Sequence, residues 1–283
     1  MYEYRTLSTT FDAGILSVTI DNPPINIMTA QLYQDLVAFT AEVAEDGEVK
    51  VVIFQSADPD FFIAHFDIEA ILTLPIDRPA KRSEELSDFH LMCERLRTMP
   101  KTTIVKIAGR AGGGGNEFCA ACDMRFGIRG VTRINQMEVP LGILPGGSGT
   151  QHLPRLIGRG RALEVILGGD DLDAETAEKW GYLNRIFDSA VELDAFVGQL
   201  ANRISLWPAE AIALAKASVL NSELPMNEGL KEEAYLFQKT LRLSEAQRNM
   251  KGALEMGAQT REGELRINEL VVEVARTVNN ESS

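Results

Sequence analysis

The stretch GRAGGGGNEFCAACD, Gly109 to Asp123, sets four consecutive glycines directly before a carboxylate. It follows Thr102 to Ala108 (TTIVKIA), whose β-branched residues predict a strand, and it leads into Phe118-Cys119-Ala120-Ala121, which reads as a helix. A glycine run between strand and helix lets a ligand approach the backbone closely. It also leaves amide N–H groups pointing outward at the positive end of the helix dipole. Glu117, in the first turn, then stands close to whatever those amides hold, because each helical residue advances only about 1.5 Å. Taken alone, the same glycines serve equally well as a tight packing site followed by a dipole-favoured glutamate.

Upstream, Gly14 to Ile20 alternates apolar Leu16, Val18 and Ile20 with polar Ser17 and Thr19, the period of a half-buried strand, until Asn22-Pro23-Pro24 breaks it. Thr29 then caps a predicted helix on which Leu32, Leu36, Phe39 and Val43 form one apolar stripe. Val49 to Ala57 reads as a second strand. Ser83 to Arg97 reads as a second helix, with Leu86, Phe89, Cys93 and Leu96 on one face. Alternating strand and helix place the first two-thirds of the chain in the α/β class. Beyond about Trp207 the strand signal stops, and Pro225 and Gly252 punctuate the rest into three expected helices reaching Val278. The organisation expected is therefore a strand–helix core over residues 1–206 and a helical region over residues 207–283.

With 283 residues and 45% hydrophobic content the chain has ample material for a core. The 41 acidic residues outnumber the 28 basic ones, a formal net charge of -13 that disfavours nucleic acid as a partner. Three cysteines, Cys93, Cys119 and Cys122, argue against a disulfide framework and for a reducing compartment. No signal peptide and no apolar run of membrane-spanning length is visible, so a cytoplasmic protein without a membrane partner is expected.

The common glycine fingerprints fail here. From Gly112, the third glycine of G-x-G-x-x-G falls on Glu117; Gly-Lys, needed for a phosphate-cradling loop, occurs nowhere; and Gly146-Gly147-Ser148-Gly149 misses the G-x-S-x-G elbow by one residue. Cys119 and Cys122 form a single C-x-x-C inside the predicted helix, which reads as helix packing ahead of a redox pair. His65, His90 and His152 have no ligand spacing, so no metal is expected. A second segment, Glu138-Val139-Pro140-Leu141-Gly142-Ile143-Leu144-Pro145-Gly146-Gly147-Ser148-Gly149-Thr150-Gln151, again sets a carboxylate beside a glycine- and proline-rich turn. Two glutamates near backbone donors suit acid–base proton traffic beside a stabilised oxyanion.

Three segments in order, Phe62 to Ile68 (FIAHFDI), Gly109 to Asp123 and Glu138 to Gln151, together resemble the enoyl-CoA hydratase/isomerase, or crotonase, superfamily. Asp21 to Asn26, Leu167 to Asp170 with Ala174 to Ala177, and Gly181 to Asn184 add supporting matches, so the likeness spans roughly residues 10 to 220. The resemblance implies a spiral of ββα turns followed by a helical trimerisation region, hence a homotrimer or a dimer of trimers. It further implies an acyl-CoA thioester as the partner, from fatty acid metabolism, with no cofactor beyond the coenzyme A of the substrate. By motif position, the oxyanion donors are the backbone N–H groups of Phe66 and Gly114, and Ala64, His65, Asp67, Ile68 and Gly113 line the substrate. With both glutamate positions filled, it implies hydration of a trans-2-enoyl-CoA, Glu138 passing the proton at C2 and Glu117 orienting the water. Double-bond isomerisation, another acyl-CoA reaction, or a silent acyl-CoA-binding role are the alternatives.

The chain departs from the family pattern at four places. His65 and Phe66 stand where small residues are usual, and His65 is open to titration near the substrate or to a packing role. Glu69 replaces a lysine that holds the CoA moiety in relatives, which leaves Arg5, Arg78 or Lys81 as candidates for its phosphates. The interval between the glutamates is one residue longer, near Arg129 to Thr132, and the chain's end lacks the family's aromatic-x-x-Lys/Arg ending.

Overall fold

Each of the three strands that the periodicity predicts is joined by a second, and two further pairs of strands follow. The computed structural model describes residues 2–77 and 79–281. A hairpin of β1 (Leu7–Asp12) and β2 (Ile15–Ile20) precedes α1 (Ala30–Glu45); its turn residues Ala13 and Gly14 both take a left-handed φ, as a tight two-residue hairpin requires. The next turn is β3 (Val51–Ser56), β4 (Phe61–Ile63), α2 (Ile68–Leu72) and α3 (Asp88–Thr98). A third comprises β5 (Thr102–Ile107), β6 (Arg110–Gly112) and α4 (Gly114–Ala121). A fourth comprises β7 (Met124–Ile128), β8 (Arg133–Asn135), α5 (Gly149–Ile157) and α6 (Arg159–Gly168). β9 (Leu172–Asp173), α7 (Ala174–Trp180), β10 (Arg185–Phe187) and α8 (Ala190–Ser205) close the strand-bearing part.

One sheet has the order β1-β2-β3-β5-β7-β10, parallel from β2 onward, and the other the order β4-β6-β8-β9, parallel from β4 to β8, so that the three middle turns each give their first strand to one and their second to the other. This stacking of ββα turns is the spiral that the resemblance implies. The core lies between the sheets and the helices: Phe54 meets Phe118 edge-on at 5.0 Å, and the stripe of α1 is buried as its spacing predicts, with Thr29 accepting the Leu32 amide.

The helix expected from Ser83 starts later, at Asp88. The Ser87 hydroxyl accepts the His90 amide and so caps the helix there, leaving Leu86 outside it and exposed. Beyond residue 207 the described elements are helical, but five α-helices replace the three expected: α9 (Ala209–Leu220), α10 (Met226–Leu241), α11 (Ser244–Glu255), α12 (Arg261–Leu265) and α13 (Ile267–Glu281). Pro225 does precede a helix, whereas Gly252 lies inside α11; the break falls at Gly257, whose φ of +102° ends the helical turn. Among the described residues no helix is long and apolar enough to cross a membrane.

Candidate active site

The parallel pairing of β4 with β6 draws residues 61 to 66 over the glycine run, and each glycine answers to a different neighbour. A Cβ on Gly112 would run into the Ala64 carbonyl oxygen, and one on Gly115 would stand 2.5 Å from Ile63 O and 2.7 Å from Ile63 Cβ. Gly113 has φ +46° and would press a Cβ to 2.9 Å from Glu138 Oε1; at Gly114 a Cβ would lie 3.2 Å from Phe66 Cβ. Close backbone approach demands the bare positions at Gly112 and Gly115, and the left-handed φ demands the one at Gly113.

Residues 26 to 28 fix the end of β4 from the other side. Asn26 Nδ2 donates to Phe62 O at 3.2 Å and to Ser56 Oγ at 2.8 Å, the Met28 amide donates to His65 O, and the Asp67 amide donates to Met28 O. The amide between those two bridges, Phe66 N–H, donates to no acceptor among the described residues. The same holds for Gly114 N–H, although its neighbours are engaged, Gly113 N–H to Asn135 O and Glu117 N–H to Gly113 O. With Phe66 Cβ so close to Gly114, two uncommitted donors stand side by side at the start of α4.

Glu117 is buried on α4. Its Oε1 accepts the amides of Gly147 at 2.8 Å and Gly149 at 2.7 Å, and the left-handed φ of +101° at Ser148 turns both amides toward that one oxygen. Oε2 accepts nothing among the described residues. Burial, aided by the charge of Glu138, pushes the Glu117 carboxyl up to about 7 against the pull of the two amides. Glu138, also buried, is raised by burial, with His65 pulling it back down.

A buried chain of polar groups that the sequence reading misses leads to Glu138. With its amide turned to suit all its neighbours, Gln136 donates to Glu138 Oε2 at 2.8 Å and accepts from Asn116 Nδ2 at 2.8 Å, and the Tyr182 hydroxyl donates to Asn116 Oδ1.

The predicted substrate-lining residues divide. Ala64, His65, Phe66 and Gly113 gather at the site, with His65 Cβ 3.5 Å from the Cβ position of Gly113; its Nδ1–H donates to Phe66 O at 2.8 Å. Asp67 instead caps α2, accepting the Glu69 amide at 2.9 Å, and Ile68 is exposed as its first residue. Lys81 and Glu69 are exposed, Arg5 reaches Gln31 Oε1 at 3.5 Å, and Arg78 lies outside the described residues. Arg129 to Val131 form an exposed turn around Gly130, while Thr132 is buried. Burial holds Cys93, Cys119 and Cys122 well above the usual thiol range, so they pack as neutral groups; Cys122 falls just past the end of α4. No group of three or more metal-ligating side chains comes together among the described residues.

Two free amides beside two buried carboxylates can hold a developing oxyanion while a proton moves next to it. Residues 10–262 match the model of the enoyl-CoA hydratase/isomerase family. A Streptomyces avermitilis structure, provisionally assigned as an enoyl-CoA hydratase, is 39% identical over 97% of this chain and 100% of its own, with a TM-score of 0.69. The enoyl-CoA hydratase structure from Geobacillus kaustophilus is 26% identical over 89% of this chain and 95% of its own, with a TM-score of 0.81. A Mycobacterium tuberculosis protein, likewise provisionally an enoyl-CoA hydratase, is 28% identical over 90% of this chain and 97% of its own.

Proposed function

Since the chain belongs to the enoyl-CoA hydratase/isomerase family, we propose that it adds water to a trans-2-enoyl-CoA to give a 3-hydroxyacyl-CoA. The observation that carries this reading is the meeting of the uncommitted amides of Phe66 and Gly114 with the buried pair Glu117 and Glu138. The thioester oxygen accepts from both amides. Glu117, its Oε1 tied to Gly147 and Gly149, turns Oε2 toward the attacking water.

The water oxygen bonds to C3, the C2–C3 π pair shifts onto the thioester, and the amides hold the resulting enolate oxygen. C2 takes its proton from Glu138, and the proton released by the water restores that carboxyl, so one water is consumed and nothing else leaves. A carboxyl poised near 7, as burial makes Glu117, suits proton exchange at neutral pH. The two glutamates titrate as a coupled pair. Gln136, through Asn116 and Tyr182, holds Glu138 in place.

Ultraviolet absorbance tests the reading directly. Hydration of crotonyl-CoA bleaches the band of the conjugated enoyl thioester, whereas isomerisation of a 3-enoyl-CoA into conjugation creates that band. Absence of bleaching with any enoyl-CoA defeats hydration. Coenzyme A enters as part of the substrate. We also propose a homotrimer or a dimer of trimers: α10 and α11 carry no buried residue and turn Leu230, Tyr235, Phe237 and Leu254 outward. A monomer in light scattering contradicts this.

A further inference from the structure

Aromatic rings wall the acyl side of the site, and hydration itself assigns them no task. The Phe89 ring, on α3, stands with Cε1 2.5 Å from where a Cβ on Gly147 would be, and that same point is 2.5 Å from Glu117 Oε2. Its other edge, Cε2 and Cζ, lies 3.6 Å from the Cβ position of Gly114. One ring therefore spans the space between the uncommitted amide at the start of α4 and the turn that holds Glu117.

Two further rings brace it. Tyr33, on α1, stacks on Phe89 with centroids 5.9 Å apart and planes at 16°, and Phe66 leans on both at 5.7 and 6.2 Å. The absence of a side chain at Gly147 is what admits the ring edge, so α3 and the glycine turn fit together as a pair. A thioester whose oxygen sits on the Phe66 and Gly114 amides has C2 and C3 beside the glutamates. Its next carbons then run into this ring.

We infer that Phe89, braced by Tyr33 and Phe66, ends the acyl subsite just beyond C4 and confines the site to short-chain acyl-CoA thioesters. This rests on the acyl-CoA reading of the site and adds a length limit to it. In an open apolar pocket each further buried methylene tightens binding roughly fourfold, so a walled pocket reverses the trend with chain length. A cavity of about 280 Å³ lies near the ring without being lined by it: Leu86 and His90, which flank Phe89 in sequence, and Ser148, next to Gly147, line it. Glu94 and Arg97 also line it, which favours a gain of a few carbons over a long apolar tail.

The test compares kcat/KM for crotonyl-CoA and trans-2-octenoyl-CoA in the full chain, alongside calorimetric binding of butyryl-CoA and octanoyl-CoA. In the unsubstituted protein the four-carbon thioester is expected to be favoured at least tenfold in both measurements. Phe89→Ala is expected to cut that preference tenfold or more, and Phe89→Leu to fall between. Equal binding of the two saturated thioesters by the unsubstituted protein overturns the inference, as does a ratio unchanged within twofold in both variants. If no enoyl-CoA is hydrated but the binding preference and its loss are observed, the hydration reading fails and the length limit stands.

Discussion

The glycine run at the start of α4 and Gly252 in the helical end do opposite work. Around Gly112 to Gly115 every missing side chain is a contact: β4, Glu138 and the rings of Phe66 and Phe89 close on the bare backbone. In the helical end, by contrast, a Cβ on Gly252 would meet only Val274 Cγ1 at 3.5 Å, ordinary packing distance, and the helices around it hold apolar residues outward. The first region is over-determined by its own chain, which is what a site needs when two amides and two carboxylates must keep their relative positions. The second leaves its apolar faces open, and Gly252 has no neighbour that demands a glycine, although Gly263 at the α11–α12 corner does, where a Cβ would run into the Gly257 carbonyl.

The largest expected effect is on chemistry with the fold untouched. Glu138→Gln and Glu117→Gln keep the shape of the side chain and remove its proton traffic, and each is expected to lower kcat about 10³-fold, within the usual range for general acid–base groups. Thermal melting checks that both variants fold as the unsubstituted chain does. A loss below tenfold in both would show that these carboxylates do not carry the reaction.

Next in size is a pH effect confined to the same region. The Glu117 carboxyl stands at about 7 in the folded chain, against 4.5 when free. The folded protein thus binds the proton more tightly than the unfolded one. That contribution is fully present below about 4.5 and is lost as pH rises toward 7, by about 3 kcal/mol over the whole window. Stability of the unsubstituted chain relative to Glu117→Gln is therefore expected to fall between pH 4.5 and 7 in denaturant titrations. A constant difference across that window refutes the assignment.

The contrast between the regions is sharpest under one substitution made twice. Gly115→Ala sets a Cβ 2.5 Å from Ile63 O and 2.7 Å from Ile63 Cβ, both on or attached to the β4 backbone, so β4 has to shift away from α4. Overpacking of this kind is expected to destabilise by about 2 kcal/mol, measured by urea unfolding, and to lower kcat by moving the strand end that carries Phe66. A variant as stable and as active as the original would mean that β4 yields freely.

These particulars also explain what the sequence made legible. The glycine run, Glu117 and Glu138 were readable because a motif of backbone exposure plus carboxylate is local: its parts lie within a few residues of one another. The stripe of α1 and its cap at Thr29 were readable for the same reason. β4, β6, β8 and β10, with three residues each, and β9, with two, escaped the reading because they are too short for any period to register; β1 and β7, with six and five residues, escaped it as well. The Gln136–Asn116–Tyr182 chain joins residues up to 66 positions apart, and Phe89 reads as one more apolar position on an amphipathic helix. Only the folded spiral brings its ring against Glu117. Gly252 misled for the converse reason: a glycine is a statistical breaker, and whether it ends a helix depends on φ, which at Gly257 is left-handed and at Gly252 is not.

The smallest effect, Gly252→Ala, decides whether the helical end is as permissive as its contacts imply. Position 252 lies inside α11, so an alanine there restricts the unfolded chain and favours the helix by about 0.8 kcal/mol. Its Cβ reaches Val274 on α13 without displacing it, so no packing penalty opposes that gain. The variant is expected to unfold at slightly higher urea concentration, with unchanged kcat, because nothing near α11 touches Glu117, Glu138 or the free amides. If it is destabilised, α11 and α13 are held more tightly than their open faces indicate. The helical end would then share the rigidity of the spiral, and the contrast between the glycine run and Gly252 would be one of degree.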